Sequence, residues 1–361
     1  MSAWKYKRIM PETIVAMLKL IDPKDLLDLA GKNFDYIHST LTNSPYKTEI
    51  LAIPEEQLCS ISIENALLKN YVTTFEEIVG HSPKDIGSLL STVIMKFEAD
   101  NVKTLLRIKG SKISYDEAFR YMMPVGGLDV VRCQKILDDS ESINDVVKLL
   151  SDLEYGSVLK KASKDHEETG FLLPLETALD KYVYSKIWRA TGKLRGLDKK
   201  IARTVLRIEI DSLNLKVILR CKEIGIEKDQ IRLYLIPVTD VFGEKELEDA
   251  IKARDIRSSI ESLLVASKIE MARDYQYLLT DLLNAYDTSQ SLLSLEMVLD
   301  RGLLKTSLKM LKEYTPFFNI GLILAFLNLK WFELRNLRAI VKGAENNIPS
   351  DKIKKLLILP D

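Results

Sequence analysis

The chain has 361 residues, of which 46% are hydrophobic and 29% are charged, a composition typical of a chain that folds and buries a core. Lysine plus arginine and aspartate plus glutamate both number 52, so the charge balance lacks the basic surplus usual in a nucleic-acid-binding protein. The 15 glycines and 11 prolines are few for an all-β protein of this size, and the abundance of Leu, Ile, Lys and acidic residues predicts helices.

The cysteines and the apolar segments predict a soluble chain. Cys59, Cys133 and Cys221 are scattered and form no Cys-x-x-Cys pair, which is typical of reduced thiols in the cytoplasm. The basic N-terminal residues precede no apolar run of the kind found in a signal peptide. The most apolar stretch, residues 317–329, is shorter than the roughly 20 residues that cross a bilayer, and we expect it to form a buried helix.

A short apolar–glutamate phrase occurs three times along the chain. Aliphatic residues lie one and three positions before the glutamate, a leucine lies three positions after it, and a base lies five positions after it. The glutamates are Glu64, Glu176 and Glu296, which are 112 and 120 positions apart. This period predicts three copies of one structural unit.

A second phrase follows each copy of the first. It consists of an acidic residue, an asparagine three positions later, and bases five and nine positions later, and it spans residues 98–107, 211–220 and 333–342. Its acidic residues are 113 and 122 positions apart, which nearly repeats the spacing of the first phrase. Two independent markers with one period make chance an inadequate explanation.

The second phrase has the period of a helix, and so has the first. In the second phrase, the acidic residue and the asparagine share a face with apolar residues, whereas the bases lie on the opposite face. We therefore expect these inward structural polar residues: Glu64, Glu98, Asn101, Glu176, Asp211, Asn214, Glu296, Glu333 and Asn336. The bases expected to face solvent or a partner are Lys103, Arg107, Lys216, Arg220, Arg338 and Lys342.

The inward carboxylates have two interpretations, because a buried charge needs a partner. They can accept hydrogen bonds from helix N-termini or from neighbouring Arg and Asn side chains, and so fix how helices meet. Alternatively, they can act in pairs in catalysis or in a proton relay. Their occurrence in three copies favours the structural interpretation, since an enzyme rarely needs its acid three times.

A proline is the third repeated marker, at Pro124, Pro237 and Pro360. A helix-like segment follows the first two prolines, but the third lies one residue before the end of the sequence. Residues 10–32 also contain an early proline and then have helical spacing, so we expect the N-terminal segment to complete the third copy and to close a ring. The predicted units are residues 52–170, 171–285, and 286–361 together with 1–51. Glycines are expected to end the second-phrase helices, at Gly110, Gly225 and Gly343.

The chain has no motif for a cofactor or a metal ion. There is no GxxxxGK[ST] loop, no GxGxxG after a strand and no HExxH. His38, His81 and His166 are isolated from one another in polar surroundings. We therefore predict neither a catalytic site nor a bound cofactor or metal.

The densest basic stretch is opposed only by Asp198. It is either a solvated helix face or a surface that contacts an acidic partner or anionic lipid headgroups. Nucleic acid is a weaker candidate, because Trp188 is the only aromatic residue interleaved with these bases. The bases are Arg189, Lys193, Arg195, Lys199, Lys200, Arg203 and Arg207.

The third copy resembles a known family. Residues 317–357, FFNIGLILAFLNLKWFELRNLRAIVKGAENNIPSDKIKKLL, resemble the C-terminal hallmark of the C-type subunits of archaeal-type (A-type) ATP synthases, whose counterparts are the d-type subunits of V-type ATPases. Residues 211–225, DSLNLKVILRCKEIG, and residues 173–184, LPLETALDKYVY, resemble the middle of that family. The resemblance covers essentially the whole chain.

The resemblance implies an all-α, pseudo-threefold, funnel-shaped protein without a cofactor. Such a protein is a non-catalytic central-stalk component at the cytoplasmic face of the membrane. Its partners are the proteolipid of the membrane rotor ring and the shaft subunits of D and F type, and it passes torque between ion transport and ATP chemistry. It associates with the membrane through these partners and binds no nucleic acid. The alternatives are a generic helical scaffold of solenoid type and a hydrolase that uses the inward carboxylates.

Overall fold

The computed structural model describes residues 3–111, 122–238, 242–270, 273–314 and 318–359. These residues form helices and no β-strand, so the predicted all-α class is confirmed. A short 3₁₀ helix, Ala3–Tyr6, precedes the first α-helix. The α-helices are α1 (Ile9–Met17), α2 (Pro23–Leu29), α3 (Phe34–Leu41), α4 (Lys47–Leu51), α5 (Ser60–His81), α6 (Lys84–Val93), α7 (Met95–Ser111), α8 (Val130–Asp138), α9 (Ile143–Leu149), α10 (Gly156–Thr169), α11 (Leu173–Thr191), α12 (Gly196–Glu223), α13 (Lys228–Tyr234), α14 (Glu244–Lys252), α15 (Ile256–Glu270), α16 (Arg273–Ser289), α17 (Leu292–Tyr314), α18 (Ile320–Glu345) and α19 (Ser350–Leu356).

Six of these helices carry the repeated phrases. The first phrase lies in α5, α11 and α17, and the second lies in α7, α12 and α18. Helix α18 packs against α17, α12 and α5, while α11 packs against α7 and α12. Most of these helices contribute to one apolar core, with buried side chains such as Leu67, Leu105, Leu179 and Phe326. A second, smaller core forms where α12 and α17 meet α13–α16.

The N-terminal segment packs against the third copy of the second phrase. Helices α1, α2 and α3 all contact α18. The backbone N–H of Ile21 donates to Oε2 of Glu333 at 2.7 Å, and the hydroxyl of Tyr46 donates to Oε1 at 2.5 Å. Residues at opposite ends of the sequence therefore share one buried carboxylate.

Among the described residues, Gly225 ends a second-phrase helix in the way we expected. Gly225 has a φ of +74° just after α12, a conformation that suits glycine. Gly110 lies in the last described turn of α7. Gly343 lies inside α18, where an added Cβ would be 2.5 Å from Cδ1 of Ile353 in α19. The expectation for Gly343 was wrong, because this glycine lets α19 pack closely on α18.

The apolar stretch at residues 317–329 lies mainly in α18. Ile320, Ile323 and Phe326 are buried there, as the sequence predicted, while Phe318 is exposed just before the helix. No helix in the described part of the chain is both long enough and apolar enough to cross a membrane. Phe317 and Pro360 lie outside the described residues.

Candidate functional site

Three asparagines each hold the backbone of the residue 22 positions further along the chain. In each case Oδ1 accepts the backbone N–H of that residue, and Nδ2 donates to its carbonyl oxygen, at distances of 2.7–3.2 Å. The side chains of all three asparagines are buried. The pairs are Asn101 with Met123, Asn214 with Ile236, and Asn336 with Ile358.

The proline marker explains why asparagine is needed at two of these positions. Met123 and Ile236 directly precede Pro124 and Pro237, and a residue before proline is disfavoured in a helix. Its N–H and C=O groups therefore leave the helical hydrogen-bond pattern and require another partner when buried. An amide side chain supplies one acceptor and one donor together.

The acidic residues of the second phrase have different surroundings in the three copies. Glu333 is buried between Ile21 and Tyr46, and burial raises its pKa although both hydrogen bonds favour the charged form. Asp211 is also buried. Glu98 is half-buried. The N-terminal segment therefore gives the third copy its own environment.

Glu98 lies against a tight turn that favours glycine. The backbone N–H of Gly127 donates to Oε1 of Glu98 at 3.3 Å. Gly126 has a φ of +60°, and an added Cβ there would lie 1.7 Å from the same oxygen. Burial raises the pKa of Glu98.

The glutamates of the first phrase pair with bases of the second phrase from another copy. Arg107 Nε donates to Glu176 at 2.6 Å, Arg220 Nε donates to Glu296 at 2.7 Å, and Arg338 Nε donates to Glu64 at 3.0 Å. The first junction therefore joins α7 to α11, the second joins α12 to α17, and the third joins α18 back to α5. Glu64 is buried, whereas Glu176 and Glu296 are half-buried.

The first and second junctions each have another ion pair. Lys103 Nζ lies 2.5 Å from Asp180, and Lys216 Nζ lies 2.9 Å from Asp300. The equivalent of these aspartates in the first copy is Leu68, which is buried. The third junction therefore replaces one charged position by an apolar one.

For three of the second-phrase bases, the structure corrects our expectation that they face solvent or a partner. Lys103, Lys216 and Arg338 are mostly buried and pair with acidic residues of this chain. Arg107 and Arg220 are half-exposed, but they also form ion pairs within the chain. Helical spacing identifies the face on which a base lies, but not the helix that packs against that face.

A cavity of about 280 Å³ lies between the long helices of all three copies. The ring of Trp331 on one wall lies 5.3 Å from the rings of Tyr71 and Phe97. Elsewhere in the cavity, Lys96 Nζ lies 2.7 Å from Glu209 Oε1. Lys96, Glu209 and Trp331 each stand two residues before the acidic residue of their copy, so equivalent positions carry a base, an acid and an aromatic ring.

The basic stretch lies at the end of α11 and the start of α12. Arg189, Lys193, Arg195 and Lys200 are exposed, and Lys199, Arg203 and Arg207 are half-buried. The guanidinium group of Arg203 lies 4.8 Å from the ring centre of Trp188, and its Nε donates to Thr191 at 3.3 Å. The exposed members of this stretch remain accessible to a binding partner.

His81 and His166 take part in local contacts, and Cys133 and Cys221 are buried. His81 pairs with Glu12 at 2.5 Å, and Nδ1 of His166 lies 2.8 Å from the carbonyl oxygen of Phe171. Burial raises the pKa of Cys133 and of Cys221 to about 12, so these thiols stay protonated at neutral pH. Across the described ranges, no group of three or more His, Cys, Asp or Glu side chains could hold a metal ion.

The fold and these contacts define a class of helical proteins whose repeated polar residues join helices around a cavity. The chain matches the model of the ATP synthase (C/AC39) subunit family over residues 15–356. It therefore belongs to that family, and the family predicted from the sequence is confirmed.

Similar proteins include several archaeal A-type ATP synthase C subunits. The one from Methanothermobacter thermautotrophicus is 27% identical over 91% of this chain and 83% of its own length. The one from Methanocaldococcus jannaschii is 27% identical over 94% of this chain and 83% of its own length. The one from Haloferax volcanii is 28% identical over 88% of this chain and 87% of its own length.

Proposed function

We propose that this chain is a non-catalytic central-stalk (rotor) subunit of an A/V-type ATP synthase. It links the membrane rotor ring to the central shaft and transmits torque for ion transport coupled to ATP synthesis or hydrolysis. Family membership and the names of the similar proteins support a place in such a complex. The cycle of Arg–Glu pairs carries the mechanical part of the proposal, because it joins α7 to α11, α12 to α17 and α18 to α5.

The proposed architecture is a pseudo-threefold funnel of three homologous units. Its units are residues 52–170, 171–285, and 286–361 with 1–51. The three asparagine contacts and the three Arg–Glu pairs support this division, and so does the packing of α1–α3 on α18. In this arrangement the inward polar residues are structural, because the asparagine contacts and the Arg–Glu pairs each hold two segments of the chain together.

The proposed shaft contact is the cavity. Its volume of about 280 Å³ lies at the lower limit of the roughly 300–1,000 Å³ of ligand pockets. A whole helix is about 10–12 Å wide, so the cavity accommodates side chains that project from the tip of a D- or F-type shaft subunit. The cavity offers both a charged pair, Lys96 and Glu209, and an aromatic surface around Trp331.

The other proposed partner is the proteolipid of the rotor ring. Contact with the ring places the chain at the cytoplasmic face of the cell membrane as a peripheral subunit. We propose no nucleic-acid partner and no cofactor.

Purification from detergent-solubilised native membranes tests this proposal. A tagged wild-type chain should recover both the ring proteolipid and the coiled-coil shaft subunits. The double variant Lys96→Ala/Glu209→Ala removes both members of a cavity ion pair, and it should lose the shaft subunits while retaining the ring.

The matched control is Arg132→Ala/Asp152→Ala, which removes a side-chain ion pair between α8 and the loop after α9. This control should recover both partners. The proposal fails if the wild-type chain recovers neither partner at any ionic strength. The cavity assignment fails if the cavity variant retains the shaft or if both double variants lose it equally.

A further inference from the structure

Four segments that are distant in sequence meet around Asp198 and Lys5. Lys5 Nζ lies 2.8 Å from Oδ2 of Asp198, and the hydroxyl of Tyr6 donates to Oδ1 at 2.7 Å. The backbone N–H of Ile320 donates to Oδ1 at 3.1 Å. Lys5 also pairs with Asp85 at 2.9 Å. The N-terminal 3₁₀ helix and the starts of α6, α12 and α18 therefore lie together at one end of the molecule.

These contacts remove Asp198, the only acidic residue of the basic stretch, from the surface. Asp198 is buried, and its carboxylate is occupied by Lys5, Tyr6 and Ile320. The bases around Asp198 remain exposed, and within the described ranges they form no ion pair. These bases are Lys7, Arg8, Arg189, Lys193, Arg195 and Lys200.

Exposed apolar side chains lie at the same end of the molecule. Trp4 is 76% exposed, Leu197 is 44% exposed and Phe318 is 51% exposed. Trp4 and Phe318 are within two residues of groups that contact Asp198, and Leu197 directly precedes Asp198, so all three residues border this end. Single exposed apolar residues are common, but three beside a set of bases form an amphiphilic surface.

We propose that this basic end, formed by Trp4, Lys7, Arg8, residues 189–200 and Phe318, binds the surface of an anionic lipid bilayer directly. Lysine and arginine are attracted to the negative potential of anionic headgroups. Tryptophan and other large apolar side chains are stabilised at the boundary between headgroups and acyl chains. A nucleic-acid backbone would use the bases but would leave the apolar tips in water. This contact goes beyond the proposed function, since it does not require the ring or the shaft.

Flotation of the purified full-length chain with lipid vesicles tests the inference. The wild-type chain should bind vesicles of phosphatidylcholine that contain about one-third phosphatidylglycerol, and binding should weaken with salt. The variant Arg8→Ala/Arg195→Ala/Lys200→Ala should bind about a hundredfold more weakly, since each base near the surface contributes about fivefold. Emission from Trp4 should shift to shorter wavelength on binding, and Trp4→Phe should remove that shift.

The matched control removes three exposed bases of α19, a helix that packs against Gly343 near the far end of α18. It is the variant Lys352→Ala/Lys354→Ala/Lys355→Ala. The 26 residues of α18 separate the two sets by about 39 Å. This control should bind anionic vesicles like the wild type. The inference is overturned if the wild type does not prefer anionic vesicles or if both triple variants weaken equally. It is also overturned if the chain binds only vesicles that contain the ring proteolipid, in which case the surface belongs to a protein partner.

Discussion

The third junction and the other two join equivalent helices by different electrostatics. At the first and second junctions, two ion pairs lie side by side, and the outer arginines are half-exposed. At the third junction, Glu64 is 3% exposed and Arg338 is 14% exposed, and Leu68 replaces the second acid. The Arg338–Glu64 pair is therefore buried, whereas the Arg107–Glu176 and Arg220–Glu296 pairs each have a half-exposed arginine.

The largest expected effect follows from breaking the buried pair. Arg338→Met leaves the Glu64 carboxylate buried without its arginine. Removal of one partner from a buried ion pair costs about 3–5 kcal/mol, and we expect a loss of that size in the free energy of unfolding. Chemical denaturation followed by circular dichroism measures it.

The double variant Arg338→Met/Glu64→Leu is the control for the buried pair. It removes both charges and should recover most of the lost stability, because an apolar pair avoids the desolvation cost. A loss below about 1 kcal/mol for Arg338→Met alone would show that the buried pair contributes no more to the free energy of unfolding than the half-exposed pairs do.

The next effect concerns the asparagine contacts, which are nearly identical in the three copies. Asn336→Leu leaves the backbone N–H and C=O of Ile358 without their partner, and each such buried group costs about 1–3 kcal/mol. We expect a loss of about 2–4 kcal/mol, and a similar loss for Asn214→Leu.

The control for the asparagine variants is Asn43→Ala, an exposed position that should change stability by less than about 0.5 kcal/mol. If Asn336→Leu and Asn214→Leu differ by more than the error of the denaturation measurement, the copies are energetically unequal at this position as well.

The asparagine positions show how much the sequence could predict. Their helical spacing placed Asn101, Asn214 and Asn336 among apolar residues, and the structure places all three in the core. A proline 23 or 24 positions after each asparagine was also visible in the sequence. What these asparagines contact was not predicted, because the hydrogen bond depends on how the segment before the proline folds back.

The ion pairs show where sequence reasoning stopped. The base five positions after the acid pairs with an aspartate in two copies, but in the third Arg338 pairs with Glu64. No period could show this exchange, since it depends on Leu68 in another helix. Similarly, Asp198 looked like a surface counter-charge, and only the tertiary contact with Lys5 and Tyr6 removes it from the surface.

A smaller effect should appear in the pH dependence of stability at the third copy. Burial raises the pKa of Glu333 above its ordinary value of 4.5, so the folded state holds this proton more tightly than the unfolded state. The contribution to stability is complete below 4.5 and is lost as the pH rises through the pKa of the folded state.

Glu333→Gln removes this titration and tests the effect. The difference in unfolding free energy between the wild type and this variant should change in favour of the variant as the pH rises from below 4.5. Tyr46→Phe removes a hydrogen bond to the charged form of Glu333. It should therefore raise the pKa of Glu333 further, so that the loss of stability occurs at higher pH. A difference between the wild type and Glu333→Gln that stays constant with pH would contradict the assignment.

The smallest effect is expected at the first and second junctions, where the arginines are half-exposed. Arg107→Ala and Arg220→Ala each remove one half-exposed ion pair, which is worth about 1 kcal/mol or less because water and salt screen it. A double-mutant cycle of Arg220→Ala and Glu296→Ala isolates the pair from other effects, and its coupling energy should decrease at high salt. The same cycle on Arg338 and Glu64 should give a larger coupling energy with little dependence on salt, since the buried pair is poorly screened. Equal coupling energies with equal salt dependence would remove the distinction between the junctions, because burial would then have no measurable consequence for how the copies are joined.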